Sequence, residues 1–484
     1  MKAHRLVHHE KGRFWEVHWE GSQAETTSGA LGTNGRSTEK GFSDSREADA
    51  WVAQQLGKRR KEGFVELTEV GTPATAADAS SGLRELLARI VENPADDSLR
   101  TVYADQLSAA GDPLGEFIQV QLQLARAPAA VHQHREKELL ERFRMKWSGG
   151  LRGVDFRFER GFAVAAHLEI EELATHVPKL FGVAPLLSRL HVNRGSGLMG
   201  SSGVRELMQR PEVKQLTELH FTLNGWLPQV IEAITGQPAL DGLEALSLRR
   251  VGVSDSHAID LIVRDRFTRL KRVDFRFNAL SGGALDVLAS RALHVVRLAG
   301  NRIGESSISR LTRAKPWAEL RELDLSGNGI GNAGLAVLGS CEFLGNVTQL
   351  GLAGVNATSS GVSLLAKGPL ARSVENLDLA GNDVRTEGVR LILGGQFPKL
   401  RHLDLSESML GDEGVRAIVS SAGAAQLESL FIRKNQLSPA GAKVLRREAL
   451  PALTELRVSG NPLGEGGLEA LRESLPGVHV VARA

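Results

Sequence analysis

The segment Leu320–Ser340 reads LRELDLSGNGIGNAGLAVLGS. Leu320, Leu323 and Leu325 stand three and then two residues apart, Asn328 and Ile330 follow, and after Gly334 come Leu335, Val337 and Leu338. Leu323 and Leu325, with polar residues between and beside them, describe a short strand with one apolar face, whereas Leu335 and Leu338 have helical spacing. Blocks of this form return roughly every 27 residues. Their first apolar residues are Leu187, Leu216, Leu243, Leu270, Leu293, Leu320, Val347, Val374, Leu400, Leu427 and Leu453. These about eleven units exceed the three or so that a stacked array needs to be stable.

The pattern LxxLxLxxNxLxxxG resembles the leucine-rich repeat, in the longer, helix-bearing variety typified by ribonuclease-inhibitor-like proteins. That resemblance implies an α/β solenoid, with a parallel inner sheet and outer helices, over residues 187–484. Asn224, Asn278, Asn301, Asn328, Asn382, Asn435 and Asn461 occupy the turn after the strand. A side-chain amide there satisfies backbone groups left open by the bend, so these are structural residues rather than ligands. The pattern slips at Arg194 to Gly200, at Arg249 to Val251, at Val355 and at Ser408, where less regular bending is expected. The strings GNGIGNAG and GNPLGEGG are the same recurring turn. Neither is followed by Lys-Ser/Thr, so neither is a phosphate loop.

The rest of the composition agrees with a repeat protein. Of 484 residues, 42% are hydrophobic and only 5% aromatic, and 52 are glycine, which suits a leucine core with many turns. The 59 basic and 57 acidic residues nearly cancel, so any nucleic-acid role needs a local patch. Cys341 is the single cysteine, which excludes an intrachain disulfide and a multi-cysteine zinc site and reads as a filler beside a repeat helix. The N-terminus lacks an apolar leader core, and no segment approaches the ~20 apolar residues of a membrane span. A cytoplasmic protein with no membrane association is expected.

Ahead of the repeats, RFWEVHWE at 13–20 alternates as a strand, and Ser43 or Asp44 is placed to cap a helix running to Leu56 and ending in a basic turn. The order FWEV, LGTNGRSTEKGF, helix, KRRKEGFVEL resembles the WGR domain, a small α+β module also found in DNA-dependent poly(ADP-ribose) polymerases. The resemblance covers roughly residues 3–67, and the domain is placed at residues 1–70. Where the namesake tripeptide should lie, this chain has Ser28, Gly29 and Ala30, so the aromatic and the guanidinium are missing. Arg36 and the run Lys58, Arg59, Arg60, Lys61 remain, diluted by Glu39, Asp44, Glu47 and Asp49. A structural or protein-contact role is therefore favoured over nucleic-acid binding. His4, His8 and His9 read as exposed strand residues rather than metal ligands.

Residues 71–82 have the composition of a flexible linker. The string LLARIVENPADDSLRTVYADQLSAAGDPLGEFIQVQ then resembles the repeat-companion domain of certain bacterial proteins, with Gln106 where that family has a tryptophan. The resemblance covers residues 83–150, a helical domain, and implies a bacterial origin and repeats downstream. Tyr103, Asp105, Asp112 and Glu116 are explained by helix packing, with Arg100 expected to pair with a carboxylate. In the charged helix that follows, Leu139, Leu140, Phe143 and Met145 are the apolar positions. Residues 151–186 read as a bridge and cap for the first repeat.

Function is sought on the strand residues opposite the leucines, because strand side chains alternate in direction. In earlier units these are Arg249, Arg272, Asp274, Arg276 and Arg297, and in later ones Glu322, Asp324, Asp378, Asp404, Phe431, Arg433 and Arg457. Eleven strands about 4.8 Å apart span on the order of 50 Å, and a strip ~15 Å wide offers ~750 Å², one side of a standard protein interface. The sequence thus predicts a basic pole at Arg272, Arg276 and Arg297, flanked by Arg249, and an acidic pole at Glu322, Asp324, Asp378 and Asp404, with Phe431 as an apolar anchor. A non-enzymatic, monomeric scaffold binding an unidentified protein on the concave face is expected, with no cofactor and no metal. The alternative is nucleic-acid binding through the WGR-like module. No nucleophile with a base, no metal-ligand spacing and no cofactor loop points to an enzyme.

Overall fold

In the computed structural model of the chain, the described residues are 2–8, 13–30, 36–67, 81–194, 201–223, 228–236, 240–263, 267–313 and 315–482. Several sequence readings lie outside them: the linker over 71–80, the GTNG turn, His9, the irregular stretch at 195–200 and Asn224. The chain divides into two compact units. One comprises residues 1–152, 158–163 and 179–186, and the other residues 153–157, 164–178 and 187–484.

Each of the eleven leucine or valine starts lies two residues before an observed strand, from Arg189–Asn193 after Leu187 to Glu455–Arg457 after Leu453. These strands pair in parallel and in register, so that Leu323, Leu350, Leu377, Leu403, Leu430 and Leu456 form one row. All six are at most 2% exposed, and each such burial contributes about 1.5–3 kcal/mol relative to exposure. His479–Val481 extends the sheet at one edge, and Asp155–Glu159 and Phe162–Glu169 lie at the other, giving fourteen strands. The return segments vary in helical content. Gly331–Ser340 is an α-helix of ten residues, whereas the unit after Arg297 has only the four-residue Glu305–Ile308 followed by 3-10 turns. There Trp317, fully buried, fills the space and donates its indole N–H to the carbonyl of Leu288 at 3.0 Å. Cys341 is buried at the end of Gly331–Ser340, and burial pushes its thiol up to about 11.

The turn asparagines reach back to the preceding unit. Asn382 Oδ1 accepts the N–H groups of Val355 (3.1 Å) and Ala357 (2.9 Å), while Nδ2 donates to the carbonyls of Leu352 (2.7 Å) and Leu379 (2.9 Å). Asn278 and Asn435 make the same kind of bonds to Val251 and to Ser408. The turns at Val251, Val355 and Ser408, which lack an asparagine of their own, are satisfied in this way. The strands of those units pair on both sides without interruption, because the following unit's amide satisfies the irregular turn.

A second row runs along the residue preceding the asparagine position. Gly300, Gly327, Gly354, Gly381 and Gly460 have φ between 58° and 74° there, as the left-handed turn demands. Arg250, Phe277, Glu407 and Lys434 hold the same conformation, with φ from 50° to 60°. Each of these side chains strains the backbone by about 1 kcal/mol or somewhat more.

In the first unit, strands Lys2–His8, Arg13–Glu20, Gln23–Ala30, Arg36–Gly41 and Val65–Leu67 form an antiparallel sheet, ordered 36–41, 23–30, 13–20, 2–8, 65–67. Trp15, Val17 and Trp19 pack with Ala48, Val52 and Leu56 of helix Ser45–Lys61, whose first turn Asp44 caps. Trp19 also donates to Asp49 at 2.7 Å. His8 is not exposed as expected; it is buried edge-on against Phe64. Four helices follow, Ser81–Glu92, Asp97–Ala109, Pro113–Arg126 and Ala130–Trp147. In the last of these Leu139 and Trp147 are buried, while Met145 is exposed. Gly161 (φ 88°) donates its N–H to Gln121 at 2.6 Å, and a Cβ there would lie 2.1 Å from Ile118.

Candidate binding face

Nine of the residues found by strand phase were assigned to the two poles and the anchor, and the structure puts all of them on or just beyond the strands, opposite the leucine row. It does not separate them into poles of opposite charge. Arg272 donates to Glu218 at 2.7 Å, and Arg276 grips Asp274 with two bonds of 2.9 and 2.6 Å. Arg297 meets Glu322 through bonds of 2.5 and 2.8 Å. Arg249 lies 4.0 Å from Asp274 and, with Arg250, stands over the ring of Phe277. The predicted basic pole is therefore a set of neutralised pairs. Glu322 belongs to it rather than to the acidic side, because an ion pair forms across neighbouring strands where the sequence suggested a change of sign.

The acidic side keeps its character. Asp324, Gly351, Asp378 and Asp404 share one row across four consecutive strands. Each carboxylate accepts a backbone N–H two residues on, from Ser326 (3.1 Å), Ala380 (3.0 Å) and Ser406 (2.8 Å) respectively. Arg433 approaches Asp404 at 3.6 Å, and among the described residues no ion pair reaches Asp324 or Asp378. Burial, together with the like charges of Asp404 and Asp324, pushes Asp378 up to about 6. Phe431 continues the row beside Asp404. It is not a bare apolar anchor, since the guanidinium of Arg457 lies 4.3 Å over its ring.

Strand phase was read from Arg249 onward, and the same row in the first units was missed. There it carries His167, His191 and His220, stacked ring on ring with centroids 4.2 Å apart. Glu218 Oε2 lies 3.2 Å from His220 Nε2, and Arg272 holds the other oxygen. The hydrogen bond with His220, with Arg272 nearby, holds Glu218 down at about 2. Burial, with two imidazole neighbours, lowers His191 to about 4, so its ring is neutral at pH 7. Counting two and four residues on from Leu187 and Leu216 would have found Arg189, His191, Glu218 and His220.

In the helical segment the carboxylates that a catalytic reading would use are each engaged structurally. Asp112 caps Pro113–Arg126 and faces Lys146 at 3.4 Å, Glu116 forms a two-bond pair with Arg135, and Asp105 accepts from Gln119. Arg100 does not make the expected carboxylate pair. It is buried, donating to the carbonyl of Pro94 at 2.6 Å and lying over Phe162, while Arg160 approaches Asp97 at 3.5 Å. Among the described residues, no helix is long and apolar enough to cross a membrane.

Comparison with known proteins bears on the repeats. A ribonuclease inhibitor from Sus scrofa is 37% identical over 82 residues, covering 16% of this chain and 18% of the inhibitor, so the chain spans under a fifth of that relative's length. Among solved structures, TLR13 in its complex with ssRNA13 is 18% identical with a TM-score of 0.38, over 63% of this chain and 40% of that one. An internalin from Listeria monocytogenes is 18% identical with a TM-score of 0.36, over 66% of this chain and 87% of that one. Residues 320–339, 371–393, 398–419 and 450–471 match the Leucine Rich repeat family, and leucine-rich repeats therefore build this part of the chain.

Proposed function

We propose that the chain is a non-enzymatic scaffold that binds a protein partner on the sheet face opposite the leucines, as a monomer in the bacterial cytoplasm. Residues 1–70 are read as a WGR-like domain, 71–82 as a linker, 83–150 as a repeat-companion domain, 151–186 as bridge and cap, and 187–484 as the repeat array. The row Asp324, Asp378 and Asp404 carries the reading. Three carboxylates held in register, one of them crowded into a raised affinity for protons, form a face that a Lys- or Arg-bearing partner would relieve. Stacked repeats present such faces as extended binding surfaces. The arginines contribute less than the sequence suggests, because their charges are spent on Glu218, Asp274 and Glu322.

The test is affinity capture with the full chain and with an Asp324→Lys, Asp378→Lys, Asp404→Lys variant that is shown to be folded. The variant is expected to lose partners that the parent retains. Retention of every captured protein would remove the binding face from this row. For the nucleic-acid alternative, salt titration of DNA binding by the full chain decides, and absence of salt-sensitive binding at low ionic strength discards it.

A further inference from the structure

We propose that His191, His220 and Glu218 form a binding site for one divalent transition-metal ion of the zinc and cobalt class, on the sheet face opposite the leucines. The donor atoms of these three residues all lie within 4.8 Å of one another. They sit on two adjacent, registered strands, Arg189–Asn193 and Glu218–Thr222, in which His191 pairs with His220. Strand pairing therefore fixes their backbones without help from a loop. All three residues are half-buried.

Two imidazoles and one carboxylate are a donor set suited to zinc and its neighbours in the transition series, and they leave a position open for water or a ligand. Arg272 holds Glu218 Oε1 at 2.7 Å, which orients the carboxylate and leaves Oε2 toward His220. His167, stacked on the far side of His191, adds a third imidazole beside the set. Donors on one zinc ion at about 2.0–2.1 Å stand roughly 3.3 Å apart. The cluster therefore closes by up to about 1.5 Å, and the stacked rings turn so that their lone pairs converge. Binding also breaks the bond between His220 and Glu218, and Arg189 and Arg272 repel a cation, so the site binds more weakly than a closed structural zinc centre.

The full chain is titrated with CoCl2 under visible absorption, then with ZnCl2 in competition. The expected result is a d–d band that saturates at one Co2+ per chain, is displaced by Zn2+, and accompanies a rise in melting temperature. His191→Ala and His220→Ala should each weaken Co2+ binding by about tenfold or more. His402→Ala, farther along the same sheet, should leave it unchanged. Circular dichroism without metal establishes that each variant is folded, and His191→Gln or His220→Gln replaces an alanine variant that is not. Absence of saturable binding by the parent, or binding by both folded variants within about twofold of the parent, overturns the proposal.

Discussion

Replacing Asn382 by alanine removes five hydrogen bonds, the weakest of them to the Ala380 carbonyl at 3.3 Å, at a position only 4% exposed. The N–H groups of Val355 and Ala357 and the carbonyls of Leu352 and Leu379 all lose their side-chain partner. A buried backbone group left unpaired costs about 1–3 kcal/mol, so the two N–H groups alone predict a loss of roughly 2–6 kcal/mol. The carbonyls add less, because a carbonyl oxygen has a second lone pair to direct elsewhere. Asn382→Asp sharpens the test. Its carboxylate still accepts from Val355 and Ala357, but it turns a second oxygen toward the carbonyls of Leu352 and Leu379, so it should be at least as damaging as alanine near neutral pH. The assay is urea unfolding followed by circular dichroism, with hydrogen exchange at the amides of Val355 and Ala357 as the local readout. A loss below about 1 kcal/mol for both variants, with those amides still protected, would refute the view that each asparagine holds the preceding turn.

Three further outcomes follow from other rows of the sheet. The raised affinity of Asp378 for protons means that its ionisation opposes folding: stability contributed by the neutral acid is present below about pH 4 and is lost as pH rises through about 6. Asp378→Asn, which keeps an acceptor for the N–H of Ala380, should therefore be more stable than the parent at pH 8 by roughly 1–2 kcal/mol after allowing for partial exposure, with no advantage near pH 4 in parallel urea titrations. Lys434→Gly relieves the left-handed backbone (φ 50°) and forfeits an exposed pair with Glu407 and the contact of the lysine stem with Gly460, so chemical denaturation should show a gain of up to about 1 kcal/mol rather than a loss. A double-mutant cycle on Arg297 and Glu322 should give a coupling of about 0.5–1.5 kcal/mol that shrinks in high salt, and a zero coupling would make their two-bond pair energetically silent.

The sequence alone determined the repeat. Its leucine spacing placed eleven strand starts at a constant offset from the observed strands, because a strand with one buried face allows only one phase. It also located the turn asparagines and narrowed the helix cap to Ser43 or Asp44, of which the structure selects Asp44. Tertiary structure decided what those residues face. Arg297 and Glu322 are 25 residues apart in sequence and within hydrogen-bond distance in space, so reading charges in order along the chain yields two poles where stacking yields an ion pair. The burial of His8 depends on the later Phe64, and Arg100 turned to a backbone carbonyl instead of a carboxylate. The same stacking left Asp324, Asp378 and Asp404 in one row and brought His191, His220 and Glu218 into a cluster. The repeat period is local and is written in the chain. Which side chains become neighbours depends on the register between strands, and that exists only once the units have stacked.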